Sequence, residues 1–397
     1  MKILVVNCGS SSIKYKLYEM ENHSVIAAGG IEKVGIEGSF LKVTLPDGTK
    51  RVIEHECPTH SEGIRLMFKT LLDPEIGAIK SLDEISAAGH RIVAGGIFTK
   101  SQIVSDEMIE QWKPFMELAP LHSEAHLKGY LAVKEQLPDL PQVFVFDTAF
   151  HQTMPPKAYM YALPYRYYSE MRIRRYGAHG TSHQYVSGQV ARLMGNDALR
   201  QIVLHLGNGA SVSAVKAGRP IDTSMGLTPL EGLVMGTRTG DIDPAVVFHL
   251  QRQTGWSADE VDDLFNKQSG LKGLTGENDM RAVRHMVDSE DPEVARRARL
   301  ALDIYVTRII KYIGSYTAEL GGLDVITFTA GIGENDADLR REVCERLLPF
   351  GVRINDEVNN QRFSAATTIS TDDSSVTVMV VPTNEELAIA RQALTLI

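Results

Sequence analysis

Residues 3–20 read ILVVNCGSSSIKYKLYEM. An apolar run breaks at Gly9, three serines and Lys14 follow, and apolar residues then alternate with polar ones at the period of a strand. This is a strand–turn–strand unit whose turn offers backbone N–H groups, hydroxyls and one ammonium group. Such a turn suits a phosphate, although the spacing is not that of a P-loop. At an offset of 200 residues, IVLHLGNGASVS (202–213) lies over KILVVNCGSSSI (2–13), with Gly209 on Gly9. The offset is about half the chain, so the sequence reads as two similar halves. Glycine lets successive amides converge on an anion in each turn. A serine-rich turn facing water accounts equally well for either one taken alone.

The rest of the 397 residues alternates strand-like and helix-like segments, the signature of an α/β protein. Segments 142–150, 201–215, 324–333 and 376–386 read as strands running into polar loops. A length this far above a single core, with 43% hydrophobic residues, predicts two domains. A net charge of −9 without any Lys/Arg-rich run argues against a nucleic-acid or anionic-membrane surface. A phosphate ligand needs only a few local donors and stays open. Cys8, Cys57 and Cys344 are scattered and frame neither a zinc site nor a disulfide scaffold. The start MKILVVN has no signal-peptide pattern and no apolar run is membrane-length, so the expectation is a soluble, cytoplasmic protein.

The spacing predicts a long helix from about Pro292 to Leu320, with Asp291 as N-cap, Pro292 at the first position and Gly321 past the end. Its Leu302, Tyr305, Val306, Ile309, Ile313, Tyr316 and Leu320 form one stripe, suited to core packing or to a dimer face. A third glycine loop, TAGIGENDADLR (329–340), follows a strand and opens a helix, another place for an anion or a nucleotide. Arg91 and Arg238 each sit among glycines and small residues, where a five-donor guanidinium suits a carboxylate or a phosphoryl oxygen. For Arg238, local pairing with Asp241 or Asp243 is the rival. HSEAH (122–126) and HGTSH (179–183) pair histidines at i, i+4, but neither carries the glutamate of a zinc hydrolase. Asp147 ends a strand-like run, where a carboxylate reaches a cleft or merely caps a turn.

NCGSSSIKY (7–15), GHRIVAGG (89–96), PLHSEAH (120–126), FDTAFH (146–151), RRYGAHGTSH (174–183), HLGNGAS (205–211), DTSMGLTPLEGLVMGTRTGDID (222–243), TAGIGEN (329–335) and PTNEE (382–386) together closely resemble the acetokinase family of the acetate and sugar kinase/Hsp70/actin superfamily. They cover essentially the whole chain, in order. The resemblance implies an α/β fold of two duplicated actin-like (ribonuclease H-like) domains with an interdomain cleft. Residues 1–150, completed by a C-terminal helix at 385–397, would form the first domain. Residues 151–384 would form the nucleotide-binding second.

The activity implied is reversible, Mg²⁺-dependent phosphoryl transfer from ATP to acetate, giving acetyl phosphate and ADP, in a homodimer, with Mn²⁺ as a substitute metal. A propionate or butyrate kinase is the nearest alternative, and a non-catalytic ATP-binding clamp of the actin/Hsp70 type is more distant. By position in the motifs, Arg91, Asp147, His179 and Arg238 would be catalytic. Arg91 with Val93, Leu121, His122 and Pro229 would receive acetate, valine at 93 leaving less room than alanine. Ser10, Ser12, Lys14, His205, Leu206, Gly207, Asn208, Gly209, Asp279, Met280, Arg281, Gly331, Ile332, Gly333, Glu334 and Asn335 would surround ATP. Asn7 and Glu385 would hold the metal.

Overall fold

In a computed structural model the chain falls into two compact units, Met1–Gln152 with Asn384–Ile397, and Thr153–Thr383. The structure describes residues 1–45 and 48–397, the side chain of Leu121 excepted. In the first unit the opening stretch folds as β1 (Lys2–Cys8) and β2 (Ser12–Glu19), paired antiparallel. The remaining strands are β3 (Ser24–Glu32), β4 (Phe40–Thr44), β5 (Lys50–Glu54), β6 (Ile85–Ile92), β7 (Gln102–Ile103) and β8 (Gln142–Phe146). They form one sheet in the order β5-β4-β3-β2-β1-β6-β8-β7, with β1, β6 and β8 parallel.

The second unit holds β9 (Arg200–Leu206), β10 (Ala210–Lys216), β11 (Arg219–Thr223), β12 (Val325–Thr329), β13 (Thr367–Thr368) and β14 (Thr377–Val380). Their order is β11-β10-β9-β12-β14-β13, with β9, β12 and β14 parallel. Each sheet therefore contains the same device. An antiparallel hairpin (β1–β2, β9–β10) is extended on one side by an antiparallel strand and on the other by two parallel ones. The faint repeat in the sequence is a repeat of topology.

Burial follows from how the sheets are covered. β1 is apolar on both faces because both are packed, as parallel strands require. Leu4, Val6 and Cys8 share a core with Ile64, Met67 and Phe68 of the helix His60–Leu71 and with Ala132 and Val133 of the helix Pro120–Gln136. Ile3 and Val5 instead meet Leu387, Ile389 and Ala393 of the C-terminal helix Glu385–Leu394. Burying each such side chain contributes about 1.5–3 kcal/mol. Gly89 of β6 has no side chain because a Cβ there would stand 2.7 Å from Ile389 Cγ2. The C-terminal helix thus lies directly on the strand that carries Arg91.

In the second unit the helix Pro292–Leu320 starts at Asp291, whose Oδ1 accepts from Glu293 N at 2.8 Å, and ends at Gly321 with φ 73°. All seven residues of its stripe are buried in a core with Ile202, Leu204 and Leu206 of β9. That stripe is core and is not available as a face for a second copy. The opposite face packs Val203 against Val186 and Val190 of the helix Gly180–Met194. Cys8, Cys57 and Cys344 are buried and free. No helix among the described residues is long and apolar enough to cross a membrane.

Candidate active site

In open α/β sheets chemistry gathers beyond the ends of the parallel strands. In the first unit Arg91 lies near the end of β6 and Asp147 directly follows β8, its amide donating to Ile92 O at 2.8 Å. Arg91 Nε donates to Asp147 Oδ2 at 2.9 Å, and Nη2 lies 2.7 Å from the same oxygen in an ion pair. The Asp147 side chain is 1% exposed and that of Arg91 25%. Arg91 is held protonated above its ordinary range, first by Asp147 and further by Glu385. Its Nη1 makes no hydrogen bond or ion pair among the described residues and has donors suited to a carboxylate.

Glu385 opens the C-terminal helix, whose N-cap Asn384 accepts from Leu387 N at 3.1 Å and from the Tyr18 hydroxyl at 3.2 Å. Glu385 Oε2 lies 3.9 Å from Arg91 Nη2. Burial, opposed by Arg91 and reinforced by Asp147 and Glu386, pushes its carboxyl up to about 7. Residues 91, 147 and 385 thus meet in one cluster. Asn7 stands opposite Lys14 in the β1–β2 register, and both line a groove of about 260 Å³ with Val5 and Glu386. Ser10 lies in the turn and Ser12 opens β2, and His60 Nε2–H donates to Gly9 O at 2.8 Å to hold the turn.

Val93 begins the loop after β6. Trp112 Nε1 donates to Ala94 O at 2.7 Å, and a Cβ on Gly95 would stand 2.7 Å from the Phe146 ring, so this loop is pinned on both sides. His122 is exposed on the helix Pro120–Gln136, its ring centroid 6.2 Å from that of buried His126. The expected contribution of the Leu121 side chain lies outside the described residues.

In the second unit His179 is the N-cap of the helix Gly180–Met194 and takes the left-handed conformation, φ 56°. A non-glycine residue adopts that conformation only when its surroundings impose it. Here they do. His179 Nδ1 is 2.9 Å from Ser211 Oγ, and its ring stacks on His205 with centroids 4.1 Å apart. A Cβ on Gly209 would lie in ordinary contact, 3.6 Å, with both His179 Nε2 and Arg238 Nη1, so the two groups converge on the same space beside Gly209.

Arg238 makes no carboxylate pair among the described residues. Its Nη1 donates to Pro229 O at 3.0 Å, and burial without a counter-charge lowers its pKa. Asp241 is engaged elsewhere, accepting from Gly232 N and the Tyr312 hydroxyl at 2.8 Å each, and Asp243 accepts from Ala245 N. Pro229 is held in turn. Glu231 accepts from Tyr161 Oη at 2.5 Å and Arg175 Nη2 at 2.6 Å, Tyr161 Oη accepts from Leu227 N, and Arg175 Nη1 reaches the carbonyls of Thr223, Ser224 and Met225.

The second unit also carries a cleft of about 920 Å³. Gly207, Asn208, Asp279, Met280, Arg281, Gly331, Ile332 and Asn335 line it, eight of the positions expected around a nucleotide. Gly236 N donates to Asn208 O at 2.9 Å and joins this turn to the Arg238 loop. Four other expected residues are occupied differently. Leu206 is wholly in the core, and His205 is the shelf under His179. Gly333 is buried with its carbonyl on Arg340 Nη1, and Glu334 Oε1 accepts from Ala330 N and Thr383 N. Successive residues of a strand or helix face different sides, so a contiguous motif cannot aim every member at one ligand. Tyr161, Arg175, Glu231 and Ser211 are supports that residue-by-residue reading passes over, because the partners they hold lie tens of residues away.

Comparisons with known proteins bear on the family and the fold. The pattern of the acetokinase family matches residues 2–391. The acetate kinase of Phocaeicola vulgatus is 54% identical, with 100% of each chain covered. The crystal structure of Porphyromonas gingivalis acetate kinase is 45% identical and superposes with a TM-score of 0.93 over 99% of both chains. A propionate kinase from Francisella tularensis is 41% identical, with a TM-score of 0.93 over 100% of both. A match over the full length, and two sheets with the same duplicated topology, leave one conclusion: the chain belongs to the acetokinase family.

Proposed function

We propose that this chain transfers the γ-phosphoryl group of ATP to acetate, giving acetyl phosphate and ADP, and catalyses the reverse reaction. The observation that carries the reading is Arg238, a partly buried guanidinium with no carboxylate partner among the described residues, beside His179. A cation kept unpaired in a partly buried place is suited to a charge that arrives with a ligand. Phosphoryl transfer is mostly positioning and stabilisation of charge on the equatorial oxygens, and Arg238 and His179 supply donors for it. The cleft lined by Asn208, Asp279 and Gly331 receives the nucleotide.

The Nη1 side of Arg91 binds the acetate carboxylate, while Asp147 fixes the guanidinium in place. No general base is required, since a carboxylic acid with a pKa of about 4–5 is already ionised at neutral pH. Val93 limits the space for the methyl group. A divalent cation fits the chain's own donors. Asn7 and Glu385 offer one neutral and one anionic oxygen, and the Glu385 carboxyl is raised by burial and neighbouring carboxylates, conditions that a cation relieves. When bound, Mg²⁺ or Mn²⁺ supplies charge neutralisation at the ATP phosphates. The working form is a cytoplasmic homodimer.

The test is acyl phosphate formation dependent on ATP and Mg²⁺, trapped with hydroxylamine, with acetate, propionate and butyrate compared. Acetate should react fastest. A faster longer acid would keep the mechanism and discard the Val93 pocket; no product with any acid, with ATP still bound, would leave a nucleotide clamp.

A further inference from the structure

Ser211 lies between two histidines. Its Oγ is 2.9 Å from His179 Nδ1 and 2.7 Å from His183 Nε2, and both Ser211 and His183 are fully buried. Ser211 sits on β10, while the histidines sit at the start of the helix Gly180–Met194. A serine hydroxyl has one proton, so it donates to one of these nitrogens at most, and the other must bring its own N–H. If His179 donates from Nδ1, the Nε2 of a neutral ring is a bare lone pair. If His183 donates Nε2–H to Ser211 and Ser211 donates to His179 Nδ1, the His179 proton resides on Nε2.

We infer that His183, acting through Ser211, holds His179 as the neutral Nε2–H tautomer, so that the ring edge beside Gly209 and Arg238 is a hydrogen-bond donor. The inference rests on the reading of His179 as a contact to the transferring phosphoryl group. Phosphoryl oxygens only accept hydrogen bonds, so a lone pair at Nε2 would repel them. A doubly protonated ring is disfavoured too, because Nε2 faces the same space as Arg238, a cation that already lacks a carboxylate partner among the described residues. Nor can the ring turn over to exchange its nitrogens. His205 stacks on it at 4.1 Å and 24°, and His205 is itself fixed through Nδ1 to Ser182 Oγ at 2.8 Å, which meets Thr383 Oγ1 at 2.9 Å. The left-handed backbone at residue 179 fixes the other end of the side chain. No proton moves in this arrangement; His183 and Ser211 are positioning residues that decide which nitrogen carries one.

The full chain, labelled with ¹⁵N-histidine, would be studied by long-range ¹H–¹⁵N correlation, His179 being assigned from the signal lost in His179→Gln. Wild-type His179 should show the Nε2–H tautomer. In Ser211→Ala it should become a mixture, and kcat should fall about 10- to 100-fold, the usual cost of losing a histidine's orienting partner. KM for acetate and ATP should stay within about twofold, and Ser211→Thr, which keeps the hydroxyl, should restore most of kcat. A wild-type Nδ1–H tautomer overturns the inference, as does Ser211→Ala with tautomer and kcat unchanged. Should Ser211→Ala fail to fold, the wild-type spectrum decides alone. An Nε2–H tautomer in a protein that forms no acyl phosphate would uphold the relay and overturn the phosphoryl-transfer reading instead.

Discussion

Arg91 meets a single oxygen of Asp147 twice, by a hydrogen bond from Nε at 2.9 Å and an ion-pair contact from Nη2 at 2.7 Å. The carboxylate is almost wholly buried and the guanidinium is the more exposed partner, so Asp147 acts as the anchor and Arg91 as the working end. Removing one member of a buried pair costs roughly 3–5 kcal/mol. Asp147→Asn should therefore lower kcat/KM for acetate by about 100-fold or more, together with a lower melting temperature. Steady-state kinetics with acetate and Mg²⁺ varied in turn would check it. Near-normal activity with unchanged metal dependence would leave Asp147 no role in either.

Val93 lies on a loop pinned by Trp112 and by Gly95 against Phe146, so trimming its side chain should open space without moving the backbone. A methylene is worth about 1–3 kcal/mol of discrimination. Val93→Ala should narrow the ratio of kcat/KM between acetate and propionate several-fold, mainly by improving propionate. A mutant as selective as its parent would place the methyl pocket elsewhere.

Gly226 has no room for a side chain. A Cβ there would stand 1.9 Å from Glu231 Oε2 and 2.3 Å from Tyr161 Oη. Gly226→Ala should break the Tyr161–Glu231–Arg175 clamp that positions Pro229, and with it the carbonyl that holds Arg238. Overpacking of this kind costs about 1–3 kcal/mol, and the expected signature is a fall in kcat larger than any change in ATP affinity. Equal losses in both would show general unfolding rather than misplacement of Arg238.

His90 is buried on β6, next to Arg91, and its Nε2–H donates to Gln142 Oε1 at 2.7 Å. Burial, opposed by that hydrogen bond, lowers its pKa to about 4. The folded state therefore binds fewer protons than the unfolded state, whose imidazole titrates near 6.5. The associated stability is fully present above about 6.5 and is lost as pH falls toward 4. Between pH 7.5 and 5 the loss from this residue should be about 2 kcal/mol. Urea unfolding at the two pH values should show a smaller drop in His90→Gln by that amount; an identical drop would mean the His90 proton is not linked to folding.

The elements most legible in the sequence were those with local punctuation. The helix Pro292–Leu320 announced itself through Asp291, Pro292 and Gly321, and the two hairpins through Gly9 and Gly209. Arg238 shows the opposite case. Proximity in sequence suggested a pair with Asp241, but Tyr312 and Gly232 take that carboxylate. Glu231 and Arg175 are 56 positions apart and Ser211 and His179 are 32 apart, and nothing local marks either pair. Leu206, Gly333 and Glu334 also stand inside the nucleotide motifs; Leu206 and Gly333 are buried, and Glu334 accepts from the Ala330 amide.

The C-terminal helix sets an order on biosynthesis. A chain emerging from the ribosome presents Met1–Gln152 before Thr153–Thr383, and domains generally fold as they emerge. Here the apolar face formed by Ile3, Val5, Ala87 and Val143 waits for Leu387, Ile389 and Ala393, made only after the whole second unit. The second unit, Thr153–Thr383, is contiguous and can be finished earlier. A nascent chain stalled before residue 384 would thus expose a sticky sheet surface and lack Glu385, so premature termination near the end would yield an aggregation-prone product rather than a weakened enzyme.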